Sequence, residues 1–102
     1  PGAGSYGLAK KSLRDATETA AVEWAPEVRV NGVAPGIILP PPGVAPEKLV
    51  PLLANVPMGS TSSCQEVAEA CLYLATAETT TGQILYVDGG MHLANTVKPE
   101  KM

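Results

Sequence analysis

A tyrosine and a lysine near the start of the chain have the types and the spacing needed for proton transfer. Tyr6 and Lys10 lie four residues apart in a helical pattern, so their side chains share one face about one turn apart. A phenol has a pKa of about 10, but a nearby ammonium stabilises the phenolate and lowers that pKa. A tyrosine tuned in this way can exchange a proton with a substrate carbonyl or imine. Taken alone, the pair favours the simpler alternative, a surface tyrosine beside a surface lysine.

An amphipathic, Ala-rich helix that would position this pair is predicted from about Tyr6 to Trp24. Apolar residues recur there at spacings of three to five, and Pro26 ends the pattern. The small residues would let another helix approach closely, and we expect that packing partner to lie outside this chain.

A strand and a long proline-rich loop are predicted next. Val28 to Ala34 has the β-branched content of a strand and stops at the turn signal Pro35-Gly36. The stretch 37–63 holds six prolines, with room for one short helix over about 47–54. An irregular connection of this length is typical of a functional loop or a linker.

The second half of the chain predicts another helix and another strand. Ser63 to Glu66 fits a capping box at the start of the helix, whose buried face would carry Val67, Cys71, Leu74 and Ala75. The apolar run Ile84 to Val87 reads as a strand buried on both faces, as in parallel sheets. Asp88-Gly89-Gly90 then turns the chain, with Asp88 as a turn former. The tail 94–102 is polar enough to fray.

The order helix, strand, loop, helix, strand is typical of an α/β protein. Two parallel strands and two helices cannot cover both faces of such a sheet, so more strands must come from elsewhere. We therefore expect the C-terminal part of a larger fold, with the missing N-terminal half on the same chain or another one.

Composition excludes several function classes. The 102 residues carry seven Lys and Arg against ten Asp and Glu, a net charge of -3, which leaves no basic excess for nucleic acid. No apolar stretch reaches the roughly 18 to 20 residues that span a bilayer, and Pro1 to Gly4 lacks signal-peptide character. We expect a soluble, cytoplasmic protein that does not bind a membrane.

The two cysteines predict free thiols and no metal site. Cys64 and Cys71 lie seven apart in a helical pattern, about 10 Å along the axis, which is beyond disulfide reach. With His92 as the one other soft ligand, they make a poor zinc site. His92 reads as a solvated side chain, the alternative being a contact with a neighbouring subunit's site.

Three sequence motifs together change the interpretation of Tyr6 and Lys10. They are Ser5-Tyr6-Gly7-Leu8-Ala9-Lys10, then Arg29-Val30-Asn31-Gly32-Val33-Ala34-Pro35-Gly36, then Thr81-Gly82-Gln83 leading into Val87-Asp88-Gly89-Gly90. In this order and spacing they resemble the short-chain dehydrogenase/reductase family. The resemblance covers the chain up to about Leu93, but only the C-terminal part of a family member.

The resemblance implies a fold and a set of roles. The fold is α/β, the C-terminal part of a Rossmann-like doubly wound parallel sheet, with the dinucleotide-binding N-terminal half absent from this chain. Tyr6 matches the catalytic acid-base tyrosine, and Lys10 matches the lysine that lowers its pKa and hydrogen-bonds the nicotinamide ribose. Pro35-Gly36 matches a turn after which backbone from Gly36 through Ile37 to Ile38 lies against the nicotinamide carboxamide. The implied cofactor is NADPH, with NADH possible.

The loop after this turn points to a substrate class. Residues 34–43, including Leu39 and Pro40 of the implied substrate loop, and residues 55–58 look like pteridine reductases and their dihydrofolate-reducing bacterial relatives. Many family members place a threonine where Pro40 stands, and this chain departs from the family there. The structural alternative is that the prolines only stiffen an exposed loop as polyproline II.

We therefore expect reduction of a small-molecule substrate, a pterin or dihydrofolate, in a protein that forms homodimers or homotetramers. Two alternatives stay open. One is the same chemistry on another carbonyl, such as a 3-oxoacyl thioester. The other is a non-catalytic assembly module, against which the retention of both Tyr6 and Lys10 argues.

Overall fold

A computed structural model describes residues 2–38, 47 and 49–94, with the backbone alone described for 2–6 and 49. The helices are α1 (Gly2–Trp24), α2 (Leu49–Leu53) and α3 (Cys64–Thr76), and the strands are β1 (Gly32–Pro35) and β2 (Ile84–Val87). A short 3-10 helix, Met91–Leu93, follows β2. Within these described ranges, no helix has both the length and the apolar character needed to cross a membrane.

Helix α1 confirms the predicted helix and extends it. It ends at Trp24 as expected, but it begins at Gly2, four residues before the predicted start. Adding a residue to an existing helix gains a hydrogen bond without a new nucleation cost, which explains how the glycine-containing start joins the helix. Most described side chains of α1 are exposed, whereas Ala21 is buried.

The two strands pair in parallel, as the α/β prediction requires. The N–H of Gly32 donates to the carbonyl of Gln83 at 2.8 Å, and the N–H of Gly36 donates to the carbonyl of Val87 at 3.0 Å. The donor and the acceptor are separated by the same number of residues in both hydrogen bonds, so the two strands run in the same direction.

The predicted first strand is wrong in its bounds. It was expected over 28–34, but β1 covers only Gly32–Pro35. Before β1, the N–H of Val30 donates to the hydroxyl of Thr81 at 3.0 Å, and the carbonyl of Val30 accepts from the N–H of Gly82 at 2.7 Å. A side-chain hydroxyl thus takes the place that a neighbouring strand's carbonyl would have, so the ladder starts later.

Helix α3 starts where the capping pattern predicts. The hydroxyl of Ser63 accepts a hydrogen bond from the N–H of Glu66 at 3.0 Å, which satisfies one of the free donors of the first turn. The predicted buried face is partly wrong, because Leu74 is buried but Cys71 and Ala75 are exposed. Val67 is half-buried and Ala70 is buried, so the buried face keeps Val67 and Leu74 of the prediction and has Ala70 in place of Cys71.

Strand β2 has the predicted residues but not the predicted burial. Val87 is buried and Ile84 and Tyr86 are half-buried, whereas Leu85 is exposed. Leu85 and Val87 share one face of the strand because successive side chains point to opposite faces, so burial on that face is complete only at the end of β2.

The described residues group into two compact units. The first unit consists of the part of the chain up to Gly32 together with Leu72–Leu85. The second consists of Val33–Cys71 together with the part from Tyr86 onward. Ala21 and Leu74 are the buried apolar residues of the first unit, and Val56, Ala70 and Val87 are those of the second. Two polar residues, Ser62 and Asp88, are also buried in the second unit.

Candidate functional site

Tyr6 and Lys10 both belong to α1, one turn apart on an unbroken helix. The side chain of Lys10 is exposed, while that of Tyr6 lies outside the described residues. The helical spacing on which their predicted partnership depends is therefore present. Their catalytic and cofactor-binding roles stay predictions.

The segment that follows β1 is half-buried and hydrogen-bonded at two points. Pro35, the last residue of β1, is exposed, and the next three residues, 36–38, are half-buried. The N–H of Gly36 donates to Val87, and the carbonyl of Ile37 accepts from the N–H of Ser62 at 2.8 Å. Leu39 and Pro40, the predicted substrate-loop residues, lie outside the described residues.

Gly36 has a steric requirement for glycine. A Cβ at this position would come within 2.7 Å of the Cα and 2.8 Å of the Cβ of Asp88. Backbone atoms cannot yield as the end of a flexible side chain can. The absence of a side chain at residue 36 thus allows the close approach that brings the segment against the end of β2.

Ser62 is a buried polar residue that the sequence analysis missed. Its hydroxyl donates a short hydrogen bond to the carbonyl of Val87, which also accepts from the N–H of Gly36. Its own N–H bonds Ile37, so a single residue links the segment after β1 to the end of β2. No sequence signal marked it, because Ser62 is one of four consecutive hydroxyl-bearing residues, 60–63.

Asp88 confirms the predicted role as a turn former. Its carboxylate accepts hydrogen bonds from the N–H of Gly90 at 3.0 Å and from the N–H of His92 at 2.9 Å. It also pairs with Nδ1 of His92 at 2.9 Å. Burial by itself would raise the pKa of Asp88, but the hydrogen bonds from His92 and Gly90 outweigh it and hold that pKa below its usual value.

His92 is exposed, as the sequence predicts, but its ring also packs against two other side chains. Its ring stacks on that of Tyr86 with centroids 3.7 Å apart and planes 9° from parallel, and it contacts the Asp88 carboxylate. The sequence contained no signal for this packing. The alternative contact of His92 with a neighbouring subunit stays a prediction.

The turn after β2 also holds the loop between α2 and α3. Gly89 has a φ of 65°, in the left-handed region that favours glycine. Its carbonyl accepts from the N–H of Met58 at 3.0 Å, and a Cβ at Gly89 would meet Cγ1 of Val56 at 2.7 Å. Residues 56–62 are therefore bonded to the end of β2 and the turn after it, near both of their own ends.

Cys64 and Cys71 are exposed free thiols, as predicted. In the part of the chain that the structure describes, no three His, Cys, Asp or Glu side chains lie close enough to hold a metal ion.

A separate open cleft of about 380 Å³ lies in the first unit. None of the predicted site residues lines it. Its walls are formed by the end of α3, the loop after it and the start of β2, namely Tyr73, Leu74, Thr79, Thr80, Thr81, Gln83, Ile84 and Leu85.

Comparison with known proteins gives a consistent result. A family model described as Enoyl-(Acyl carrier protein) reductase matches residues 1–92. The chain is 37% identical over 95 residues to glucose 1-dehydrogenase of Gluconobacter oxydans, covering 86% of this chain and 36% of that protein. It is 38% identical over 96 residues to the 3-oxoacyl-[acyl-carrier-protein] reductase FabG of Thermotoga maritima, covering 89% of this chain and 39% of that protein.

A solved structure shows the same similarity in three dimensions. FolM alternative dihydrofolate reductase 1 from Brucella canis, complexed with NADP, matches with a TM-score of 0.74 and 36% identity. The match covers 87% of this chain and 34% of that one. The chain thus spans between about a third and two fifths of the length of these proteins.

Proposed function

The chain belongs to the short-chain dehydrogenase/reductase family, and we propose that it contributes the proton-transfer pair and part of the nicotinamide site of an NAD(P)H-dependent oxidoreductase. The observation that carries this proposal is the position of Tyr6 and Lys10 one turn apart on α1. Activity belongs to the full-length protein, since relatives are longer than this chain.

Tyr6 supplies the proton in this mechanism. The ammonium of Lys10 favours the phenolate of Tyr6, so the phenol gives up its proton more readily to an oxygen or nitrogen that gains negative charge. Lys10 would also donate a hydrogen bond to the ribose of the bound cofactor, as the family resemblance implies. When bound, the nicotinamide supplies the hydride.

The backbone after β1 supports this proposal because it offers N–H donors, from which the oxygen of a nicotinamide carboxamide can accept hydrogen bonds. Among the described residues, none accepts a hydrogen bond from the N–H groups of Ile37 and Ile38. The same segment is held in place through Gly36 and the carbonyl of Ile37. A fixed backbone edge orients a planar amide at little cost in chain entropy upon binding. NADPH is the proposed cofactor and NADH the alternative.

An oxidised pterin or dihydrofolate is the proposed substrate, with the loop from Ile37 to Met58 as the proposed wall of its pocket. The likeness to an alternative dihydrofolate reductase supports this choice. A 3-oxoacyl thioester is the second candidate, and the likeness to a 3-oxoacyl-[acyl-carrier-protein] reductase supports it equally.

Replacement of Tyr6 by phenylalanine tests the mechanism. Tyr6→Phe in the full-length protein should lower kcat by 100-fold or more and leave the Kd for NADPH nearly unchanged, because only the proton donor is lost. Tyr73→Phe is the matched control, since Tyr73 is exposed on α3 outside the proposed site. Unchanged turnover of Tyr6→Phe would refute the role of Tyr6.

Substrate choice is tested by the ratio of two specificity constants. The kcat/KM for dihydrobiopterin should exceed that for an acetoacetyl thioester if the pterin proposal is right, and the reverse ratio favours the second candidate. Failure of the full-length protein to bind either nicotinamide cofactor would favour a non-catalytic assembly module instead.

A homodimer or homotetramer in the cytoplasm is proposed for the full-length protein. Exposed apolar side chains on α1, such as Leu13 and Val22, are consistent with a subunit contact. Size-exclusion chromatography with light scattering should give a mass of two or four subunits, and a monomer would refute the proposal.

A further inference from the structure

The second unit contains one residue whose hydrogen bonds converge on the proposed nicotinamide-facing segment. Ser62 is 7% exposed, and its N–H and its hydroxyl bond the carbonyls of two different residues, Ile37 and Val87. Both partners are distant in sequence, the second by 25 positions. A buried serine that uses backbone and side chain in this way joins three segments of chain at one point.

The two acceptors belong to the segments that define the site. The carbonyl of Ile37 lies inside the proposed carboxamide-facing segment, and the carbonyl of Val87 is the one that holds Gly36. The dipeptide 36–37 is therefore fixed by a hydrogen bond at each end, through the N–H of Gly36 and the carbonyl of Ile37. Ser62 donates to both acceptors of these bonds, with its N–H to Ile37 and its hydroxyl to Val87.

We propose that Ser62 is a positioning residue that holds the backbone of 36–38 in the geometry required for cofactor binding. The inference rests on the proposed function, because it assigns Ser62 to the nicotinamide-binding part of the same site. Ser62 does not touch the reacting atoms. It acts through Ile37 and Val87, and small displacements of a binding edge are costly because hydrogen-bond strength depends steeply on distance and angle.

The neighbouring residue provides a matched comparison. Ser63 also uses its hydroxyl in one hydrogen bond, but its partner is the N–H of Glu66 in the first turn of α3. Removing the Ser63 hydroxyl should weaken the helix start and leave the Ile37 and Val87 bonds in place. The two substitutions thus remove the same chemical group from adjacent residues with different consequences.

The experiment compares Ser62→Ala, Ser63→Ala and Ser62→Thr in the full-length protein. Ser62→Ala should raise the Kd for NADPH about tenfold, whereas Ser63→Ala should lower Tm and change the Kd less than twofold. Ser62→Thr keeps a hydroxyl donor and should restore the Kd to within about threefold of the unmodified protein. Hydrogen exchange of the amides of residues 36 and 62 should be faster in Ser62→Ala and unchanged in Ser63→Ala.

Two results would contradict the positioning role of Ser62 and leave the proposed function intact. One is an unchanged Kd in Ser62→Ala, and the other is a rise in Kd that follows the loss of Tm equally in both alanine variants. If the unmodified protein binds neither NADPH nor NADH, the proposed function is wrong and the inference fails with it. The exchange measurement separates a variant that does not fold from one in which only the segment is released.

Discussion

The residues before the two strands and the residues after them are held by different kinds of side chain. Before the strands, long polar side chains bind backbone: Arg29 donates to the carbonyls of Leu74 at 2.6 Å and Ala75 at 2.9 Å. Asn31 donates to the carbonyl of Thr80 at 2.9 Å and accepts from the N–H of Gln83 at 3.0 Å. After the strands, the close contacts depend on small residues, Gly36, Ser62 and Asp88.

The hydrogen bonds of Arg29 and Asn31 form a structural clasp, whereas the residues after the strands include the segment 36–38 that we propose faces the cofactor. Arg29 satisfies carbonyls at the end of α3, where the helix has no internal donors left for them. Its guanidinium offers several donors in a fixed fork, so it can join the helix end to the loop before β2. After the strands, the absence of a side chain at Gly36 lets its backbone approach that of Asp88 closely.

Removal of the Arg29 side chain should have the largest effect on the clasp. Arg29→Ala should lower the free energy of unfolding by about 3 kcal/mol, because charge-assisted hydrogen bonds to two helix-end carbonyls are lost. Urea unfolding of the full-length protein measures this change. Lys11→Ala is the matched control, since the Lys11–Asp15 pair is exposed and a surface pair contributes little. Equal effects of both substitutions would contradict the clasp.

A methyl group at residue 36 should have the next largest effect. Gly36→Ala should destabilise the protein by about 2 kcal/mol and weaken NADPH binding, because the new Cβ would overlap backbone of Asp88. Gly7→Ala is the opposite control, since nothing lies within 4 Å of its added Cβ and alanine favours a helix. Thermal unfolding should show a lower Tm for Gly36→Ala and a Tm equal to or above that of the unmodified protein for Gly7→Ala.

Replacement of the Asp88 carboxylate should have the smallest effect at neutral pH and a distinctive effect in acid. Asp88→Asn should cost about 1 kcal/mol at pH 7, because an amide oxygen accepts the same N–H groups less strongly. The folded pKa of Asp88 lies below its usual value, so its stabilisation is present above the ordinary aspartate pKa of about 3.9. That stabilisation is lost as the pH falls through the folded pKa.

The pH dependence of the stability difference tests whether the Asp88 carboxylate is its cause. Below about pH 4 the difference in stability between the unmodified protein and Asp88→Asn should shrink, whereas Ser63→Ala, which removes no titratable group, should show a constant difference. Urea midpoints measured from pH 7 down to pH 3 would show it. A constant difference across that range would contradict the assigned cause.

Local patterns predicted the helices well and the ends of the strands less well. Pro26 and the Ser63 cap act on the next few residues, so they mark the end of α1 and the start of α3 correctly. The start of β1 was wrong because the hydroxyl of Thr81, far along the chain, takes the hydrogen bond of Val30. The predicted buried face of α3 is right for Leu74 and wrong for Cys71 and Ala75, which are exposed.

The candidate site also contains features set by neighbouring residues and features set by distant ones. The sequence alone determined the helix that carries Tyr6 and Lys10 and the role of Asp88 as a turn former, because these features depend on spacing within a few residues. The turn predicted at Pro35-Gly36 is wrong, because Pro35 belongs to β1 and the N–H of Gly36 continues the pairing to Val87. Only the tertiary structure decided that the hydroxyl of Ser62 bonds the carbonyl of Val87 and that the ring of His92 stacks on that of Tyr86. Hydrogen bonds and ring stacking between distant residues depend on how the chain returns, and no local pattern contains that information.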